Sequence, residues 1–506
     1  MLSKVFSAAN EGLQAYLVDV EIALYWGLPG VHMVGLPGTA VQEAKERVRS
    51  ALKHANYEFP KQRITINLAP AHTRKSAPVF DLAIAIGLLH GSEQIQVSDL
   101  EQFVMVGELS LDGKLRAVQG VLPFCLAARA AGQNQVIVPA DNVTEASLVK
   151  GLRIYGVQHL SEAVTLLERP EERQHIQHHW QPAPRNSSSV DFSEVMGQNF
   201  AKRGLEIAAA GGHNVMLIGP PGTGKTMLAQ RIPGILPPLS LEETLEVTQI
   251  YSVAGQLTEK RFWIKERPFR HPHHSVSARG LIGGSYPPQP GEISLAHHGV
   301  LFLDELLEFS RKNLEMLRQP LEDGNVTLVR NGKSAIFPGH FMLVAALNPC
   351  ACGYYGDPQK YCRCSEYDLV RYWKKLSAPL LDRFDLFIEL PRTSLSYFEQ
   401  QKEESSVTIQ KRVTQARQRQ YQRFQRKNYF CNARMDRQTL NQLCTLPTEH
   451  QQFVERAVEK LDLSPRAFHR FLKLSQTIAD LDASEHIEKR HLAEALQFRN
   501  AFDKYF

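Results

Sequence analysis

Apolar segments of two lengths alternate along the first part of the chain. Residues 15–22 and 63–68 are short and strand-like, whereas residues 81–90 and 122–131 are nearly continuously apolar and predict buried helices. Residues 1–165 therefore form one compositional unit in which strands alternate with helices.

The pattern changes after residue 165. Residues 166–189 are polar, contain Pro and Ser and have almost no apolar period, which predicts a linker. Over residues 190–395 strands alternate with helices, as in an α/β nucleotide-binding domain. Over residues 396–506 helical periodicity takes over, so we expect a helical lid. Its Gln- and Arg-rich segment, 407–427, has a thin apolar stripe and predicts a solvated helix.

Composition narrows the class of protein. A chain of 506 residues is too long for one core, and 43% hydrophobic with 22% charged residues is ordinary for a soluble protein. We expect no membrane span, because no apolar run reaches about 18 residues. The N-terminus lacks the apolar region of a secretory signal, so we expect a cytoplasmic protein. A net charge of +5 permits nucleic-acid binding without arguing for it.

Four of the seven cysteines form a cluster, Cys350-x-Cys352 and Cys362-x-Cys364, on a loop rich in Gly, Tyr and Pro (350–364). Four thiolates in one small loop suit tetrahedral Zn²⁺, and a structural zinc is our prediction. The C-x-C spacing is tighter than the common knuckle, so unligated thiols, an iron–sulfur cluster and disulfides remain alternatives.

A glycine-rich octet follows a short apolar strand, 214–218, and opens a helix. The octet consists of Gly219, Pro220, Pro221, Gly222, Thr223, Gly224, Lys225 and Thr226. In this context the backbone N–H groups can face phosphates at a helix N-terminus. Lys225 would pair with the β- and γ-phosphates of ATP, and the Thr226 hydroxyl would ligate Mg²⁺.

A second apolar strand, 299–303, is followed by the carboxylates Asp304 and Glu305. The carboxyl edge of an open α/β sheet is where ligands bind. Asp304 would hold the Mg²⁺ shell and Glu305 would polarise the attacking water. Because consecutive strand residues point to opposite faces, the two carboxylates can take different roles. The octet and this pair together predict an ATP hydrolase.

These motifs resemble those of AAA+ ATPases, and the intervening residues narrow the resemblance. The His-rich segment 267–277, the glycines 283–284 and the segment 290–305 resemble the magnesium-chelatase-like branch. With its N-terminal part included, essentially the whole chain is identified as a member of the ComM (YifB) family. The resemblance implies an ATP-driven, hexameric DNA helicase that migrates branches during natural transformation and homologous recombination. Its partners would be branched, single- or double-stranded DNA and further copies of the chain.

The resemblance also assigns roles to single residues. Asn348 follows the strand 341–347 and matches the sensor-1 residue, which contacts the γ-phosphate or the attacking water. Arg383 lies where related motors carry an arginine finger, which reaches a neighbouring subunit's ATP and so implies a ring. Arg466 resembles sensor 2 of the lid. Gln198 ends a segment, 195–198, that resembles the one cupping adenine.

Two insertions are expected within the AAA+ core. The His-rich segment would belong to an insertion in helix 2. Residues 324–336 predict a pre-sensor-1 β-hairpin with Asn331 and Gly332 at its tip. Arg330 and Lys333 flank the tip and would contact DNA phosphates, although a solvated hairpin with ordinary charges is an equal alternative.

Residues 1–165 resemble the proteolytic domain of Lon, which uses a Ser–Lys dyad. The resemblance places Val79 at the nucleophile position and Leu122 at the lysine position. Ser76 could be a shifted nucleophile, but no lysine occupies the matching helix start, and Lys114 precedes it in a turn. The resemblance therefore implies the α+β fold of Lon without the protease.

Three functions are compatible with an AAA+ ATPase that carries a Lon-like domain. A ring-shaped DNA motor is favoured by the basic hairpin tip. An ATP-driven remodeller of a protein complex, as in magnesium chelatase, is the alternative, against which the Lon-like domain argues. An ATP-dependent protease is disfavoured because the dyad is missing.

Overall fold

The computed structural model describes residues 2–176, 190–258, 262–285, 287–330, 333–392, 403–424, 431–444, 446, 453–455 and 464–499. Part of the expected linker, 177–189, lies outside this part of the chain, as do the hairpin tip residues Asn331 and Gly332. The side chains of Arg330 and Lys333 also lie outside it.

The N-terminal part forms a seven-stranded mixed sheet with helices on it. The strands of this part of the chain are β1 (Leu2–Glu11), β2 (Gln14–Tyr25), β3 (Gly30–Val34), β4 (Arg63–Ala69), β5 (Phe103–Met105), β6 (Glu108–Leu109), β7 (Leu115–Arg116), β8 (Gln135–Pro139) and β9 (Arg153–Val157). Its helices are α1 (Thr39–Gln42), α2 (Ala44–His54), α3 (Asp81–Gly91), α4 (Val121–Ala130), α5 (Val143–Ala146) and α6 (Leu160–Glu168). The sheet order is β3-β4-β2-β1-β5-β8-β9, and β6 pairs with β7 separately.

The predicted buried helices are confirmed as α3 and α4. In α3 the residues from Asp81 to Leu89 are all buried, since the helix packs against β1 and β2. Beyond α6 the chain stays against this sheet as far as Ile176. There Arg173 pairs with Asp99 at 2.5 Å and the Ile176 N–H donates to the Ile154 carbonyl at 3.0 Å.

The middle of the chain forms a five-stranded parallel sheet in the order β11-β14-β17-β10-β18. The strands of this part are β10 (Val215–Ile218), β11 (Phe269–Arg270), β12 (Gly283–Gly284), β13 (Gln289–Pro290), β14 (Val300–Leu303), β15 (Asn325–Arg330), β16 (Lys333–Pro338), β17 (Met342–Leu347) and β18 (Leu386–Glu389). Its helices are α7 (Asn199–Gly211), α8 (Lys225–Ile235), α9 (Leu241–Val253), α10 (Ala278–Ile282), α11 (Glu292–Leu295), α12 (Arg311–Met316), α13 (Arg318–Asp323), α14 (Glu366–Trp373) and α15 (Ala378–Leu381).

The predicted β-hairpin forms from β15 and β16, which pair in the register Asn325↔Pro338 to Arg330↔Lys333. One face of it is buried, including Val326 and Phe337, while Val329 and Ile336 are exposed. One face of the hairpin therefore packs against the rest of the protein, and the other face is exposed to solvent.

Helices dominate the C-terminal part. They are α16 (Ser406–Arg423), α17 (Arg437–Leu443), α18 (Pro465–Leu481) and α19 (Lys489–Gln497). The predicted solvated helix, α16, is wrong in that respect, because α16 packs against α7, α8 and α18. Its stripe includes the buried Ala416 and Gln420, and the Gln420 amide donates to the Ala210 carbonyl at 3.1 Å.

Among the described residues, no helix is long and apolar enough to cross a membrane.

Candidate active site

The strand order places the carboxyl ends of β14, β17 and β10 side by side at one edge of the central sheet. Strand β17 lies between β14 and β10, with Leu347 paired to Ile218 and Ala345 to Leu303. All five strands are parallel, so the residues that follow them meet at the same edge. Asp304 follows β14, Asn348 follows β17 and the glycine-rich octet follows β10.

The octet forms a tight loop between β10 and α8. Gly222 and Gly224 have φ of +81° and +90°, a conformation that favours glycine. A side chain at Gly219 would place its Cβ 2.5 Å from the Leu390 carbonyl oxygen, so only glycine fits there. The Thr223 hydroxyl donates to the Pro220 carbonyl at 3.0 Å and closes the loop. The backbone is thereby shaped as a phosphate cradle.

Lys225 is buried at the start of α8. Its Nζ donates to the carbonyls of Gly219 and Pro220 at 2.6 and 3.0 Å and to Asn348 Oδ1 at 3.1 Å. Burial lowers the pKa of Lys225 to about 8, while the charges of Asp304 and Glu305 oppose the shift. The lysine and the predicted sensor residue are thus in direct contact.

The next residue, Thr226, contacts the acidic pair. Its hydroxyl donates to Asp304 Oδ2 at 2.6 Å. A hydroxyl and a carboxylate oxygen this close fit the oxygen preference of Mg²⁺, which would be held by both and would neutralise developing phosphate charge.

The two carboxylates separate by a backbone turn, and not by strand alternation as the sequence led us to expect. Strand β14 ends at Leu303, so Asp304 and Glu305 both lie beyond it. Glu305 has a φ of +51°, and its N–H donates to Asp304 Oδ1 at 2.9 Å. This left-handed turn directs Glu305 away from the Thr226–Asp304 contact.

A cavity of about 410 Å³ adjoins Glu305. Its lining includes His274, Glu305, Asn348, Tyr372 and Lys375. The His274 Nδ1 lies 3.7 Å from Glu305 Oε2, and the Tyr372 hydroxyl donates to the Asn348 carbonyl at 3.1 Å. The cavity can admit the water that Glu305 would polarise.

His274, Tyr372 and Lys375 were not assigned to this site from the sequence. His274 belongs to the His-rich segment, whose family specificity was the available signal, but spacing does not reveal its contact with Glu305. Tyr372 and Lys375 gave no signal, because α14 returns to the site from a loop of unpredictable path.

Gln198 lies near the glycine-rich loop, beside the segment that follows β18. Its side-chain amide donates to the Pro391 carbonyl at 2.8 Å, next to Leu390, which contacts Gly219. Gln198 also has a left-handed φ of +55° at the start of α7. Gln198 is therefore placed near the loop, and its contact with adenine stays a prediction.

Arg383 and Arg466 lie together, but they contact neither Lys225 nor Asp304. Arg383 is buried and pairs with Glu322 Oε2 at 2.5 Å, and Arg466 donates to Glu322 Oε1 at 2.9 Å. The structure thus brings the two predicted arginines to one carboxylate, apart from the chain's own phosphate loop.

The four clustered cysteines converge as predicted. Their Sγ atoms lie within 4.8 Å of one another, and three of the pairs are 3.3, 3.6 and 3.7 Å apart. A tetrahedral zinc with Zn–S bonds of about 2.3 Å needs sulfur atoms roughly 3.8 Å apart, so the four thiols fit Zn²⁺. The ion would be structural, since a closed set of four thiolates leaves no open position.

The cysteine loop also rests on the phosphate loop. A Cβ added to Gly353 would lie 2.8 Å from Pro221 Cδ, and Arg392 pairs with Asp357 at 2.6 Å. The cysteine loop therefore packs against the glycine-rich loop at Pro221.

The N-terminal part keeps a cavity where the Lon-like catalytic groups are expected. A space of about 140 Å³ is lined by Ser76 and Val79 and covered by Val253 and Pro287 from the central part. Leu122 is buried, and Lys114 is exposed and pairs with Asp112 at 3.3 Å. Among the described residues that line this cavity, none is a lysine.

Comparison with known proteins places all three parts of the chain in one group. The model described as magnesium chelatase, subunit ChlI, matches residues 191–398, and the one described as subunit ChlI of Mg-chelatase matches residues 20–142. A third, magnesium chelatase, subunit ChlI C-terminal, matches residues 403–499.

Similar proteins extend over the full chain. The protein YifB of Escherichia coli (strain K12) is 45% identical over 504 residues, which cover 98% of this chain and 97% of YifB. Competence protein ComM of Haemophilus influenzae is 44% identical over 503 residues, again 98% of this chain and 97% of the relative. A Lon protease of Chlamydia muridarum is 27% identical over 164 residues, 30% of this chain and 20% of the protease.

Proposed function

The chain belongs to the YifB/ComM family of magnesium-chelatase-like AAA+ proteins, and from that premise we propose that it is an ATP-driven, ring-shaped DNA helicase that migrates branches. The family indicates an ATPase. The coupling of hydrolysis to movement on DNA is our proposal, and so is its use in natural transformation and recombination.

One observation carries the hydrolytic half of the proposal. Lys225 contacts Asn348 and Thr226 contacts Asp304, which supports their proposed roles as the residues that bind phosphate, hold Mg²⁺ and act as sensor. Glu305 faces the adjoining cavity as the group that would activate water. Positioned oxygen and nitrogen groups of this kind are what phosphoryl transfer to water requires.

Two features support DNA as the substrate. The hairpin β15–β16 carries Arg330 and Lys333 at the paired positions next to its tip. Cations at such a tip would bind phosphates without reading sequence, as a translocating motor needs. The Haemophilus relative is a competence protein, which accords with a DNA substrate.

The arrangement of Arg383 and Arg466 supports a ring. Both lie at Glu322 and not at their own chain's phosphate loop. They would act on the ATP of a neighbouring subunit, with Arg383 stabilising charge in the transition state. A hexamer is the assembly that the family resemblance implies.

The alternative is an ATP-driven remodeller of a protein complex. The chelatase character of all three matching family models favours it. Proteolysis is not proposed, because no described lysine lines the Ser76 cavity to activate a nucleophile.

A branched-DNA assay separates these functions. With ATP and Mg²⁺ the purified protein should convert a labelled four-way junction into its migrated products. Glu305→Gln should bind ATP but lose at least about a hundredfold in turnover, and with it branch migration, because the general base is removed. A matched change at an exposed carboxylate, Glu101→Gln, should leave both intact. ATP hydrolysis without any junction conversion would favour the remodeller.

A further inference from the structure

Glu322 lies between two arginines that the sequence singled out independently. Its Oε2 is 2.5 Å from Arg383, and its Oε1 is 2.9 Å from Arg466. Arg383 is buried, whereas the Arg466 and Glu322 side chains are 45% and 52% exposed. One partly exposed carboxylate thus fixes where a buried and an exposed guanidinium point.

The carboxylate is needed because the arginines repel each other. Burial, and then the charge of Arg466, lower the pKa of Arg383, while Glu322 opposes that shift. Guanidinium groups stay protonated in proteins, so two of them side by side require an anion. A carboxylate matches the fork of an arginine as a phosphate does, and it can hold both arginines in a phosphate-binding orientation.

Glu322 belongs to α13, and α13 leads directly into the hairpin. One residue separates α13 from β15, namely Gly324, which has a φ of +70°. The Gly339 N–H donates to the Gly324 carbonyl at 2.8 Å and closes the base of the hairpin. A Cβ on Gly324 would lie 2.0 Å from the His340 ring, so this joint is tightly packed.

The other end of α13 also holds Arg383. Its Nε donates to the Arg318 carbonyl at 3.1 Å, at the first residue of α13. Arg383 is therefore tied to both ends of the helix that carries the hairpin. A displacement of that helix must change the position or the bonds of Arg383, because buried charged hydrogen bonds are costly to leave unmade.

We propose that Glu322 is a positioning residue that couples the β15–β16 hairpin to Arg383 and Arg466. A hairpin engaged by DNA shifts α13, and α13 carries both arginines relative to the ATP of the neighbouring subunit. This inference rests on the proposed function, since it takes DNA as the hairpin's ligand and the arginines as acting between subunits.

The test compares Glu322→Gln with Asp323→Asn in the full-length protein. Asp323 is the exposed neighbour on α13, so the control removes the same charge one position away. Three quantities are measured: the affinity for a fluorescent single strand, the KM for ATP, and the ratio of ATP turnover with DNA to turnover without it.

In Glu322→Gln turnover with DNA should fall roughly tenfold or more, because a mispositioned arginine finger loses at least that factor. The turnover ratio should fall toward one, because DNA on the hairpin would no longer move the arginines relative to the neighbouring ATP. DNA affinity and the KM for ATP should stay at wild-type values, which damage to the hairpin or to the nucleotide site would not allow. Glu322→Asp, which keeps the charge, should recover part of the ratio.

A wild-type ratio in Glu322→Gln would overturn the inference, and so would an equal loss in Asp323→Asn. If the wild-type protein itself binds no DNA and shows a ratio of one, the proposed function fails first, and the coupling fails with it. An unfolded Glu322→Gln is recognised by its melting temperature. In that case Glu322→Asp, which keeps the charge but shortens the side chain, must show a partial loss of ratio, and a wild-type ratio in it would overturn the inference.

Discussion

At the scale of single residues, burial affects the charge of Lys225, the lysine proposed to bind phosphate. Lys225 is enclosed by the carbonyls of Gly219 and Pro220 and by Asn348, and burial lowers its pKa to about 8. Above that pH the free protein loses the cation. Bound phosphates would restore it, because a nearby negative charge favours the protonated amine.

ATP binding should therefore take up a proton at alkaline pH. The pKa of Lys225 is about 8 in the free protein. Bound ATP should raise it, so the affinity for ATP is highest below pH 8. Above it affinity falls, by up to about tenfold per pH unit. Calorimetry in two buffers of different ionisation enthalpy, one pH unit above the pKa, measures the uptake.

The control for this prediction is Lys225→Arg, whose guanidinium stays charged. Its ATP affinity, even if lower overall, should not change with pH in this range. Equal enthalpies in the two buffers for the wild-type protein would contradict the assigned protonation of Lys225.

At the scale of elements, the carboxyl ends of parallel strands made most of the site predictable. Thr226, Asp304 and Asn348 each lie just beyond or near the end of an apolar strand, and such ends meet at one sheet edge. Glu322, His274 and Tyr372 could not be found this way. Their contacts depend on how α13, the His-rich segment and α14 return to that edge.

Errors of prediction have physical causes as well. The burial of α16 was missed because Gln420 is buried through hydrogen bonds with Ala210 and Asn432 and adds nothing to an apolar stripe. The roles of Asp304 and Glu305 were attributed to strand alternation, although a left-handed turn at Glu305 separates them. Short-range turns of this kind are not specified by apolar periodicity.

Loss of zinc from the cysteine loop should alter the candidate active site, although the loop supplies none of the residues assigned to ATP or Mg²⁺. We expect one zinc per chain by elemental analysis, lost in Cys362→Ser/Cys364→Ser. Because Gly353 packs on Pro221, the variant should also bind ATP more weakly and melt at a lower temperature.

The control for the loop is Cys444→Ser, at a buried cysteine outside the cluster. It should keep its zinc, whatever it does to stability. Wild-type protein that contains no zinc, yet folds and hydrolyses ATP in the presence of Mg²⁺, would contradict a structural zinc site.

At the scale of the whole molecule, contacts join the N-terminal sheet to the central part of the chain through α9. The Gln249 amide donates to the Leu13 carbonyl at 2.6 Å, and the Ser252 hydroxyl donates to the buried carboxylate of Glu145. Leu13, in the turn after β1, also packs beside the hairpin's core cluster. The Lon-like part thus contacts the central part of the chain both at α9 and beside the hairpin.

If the protein is an ATP-driven DNA helicase, branched DNA should stimulate its hydrolysis of ATP. The direct measurement is the steady-state ATPase rate of the full-length protein with and without branched DNA, at a low and a high salt concentration. We predict stimulation by DNA at low salt that weakens steeply as salt rises, because phosphate contacts release counterions. A rate that branched DNA leaves unchanged at low salt, with no DNA bound, would contradict the account.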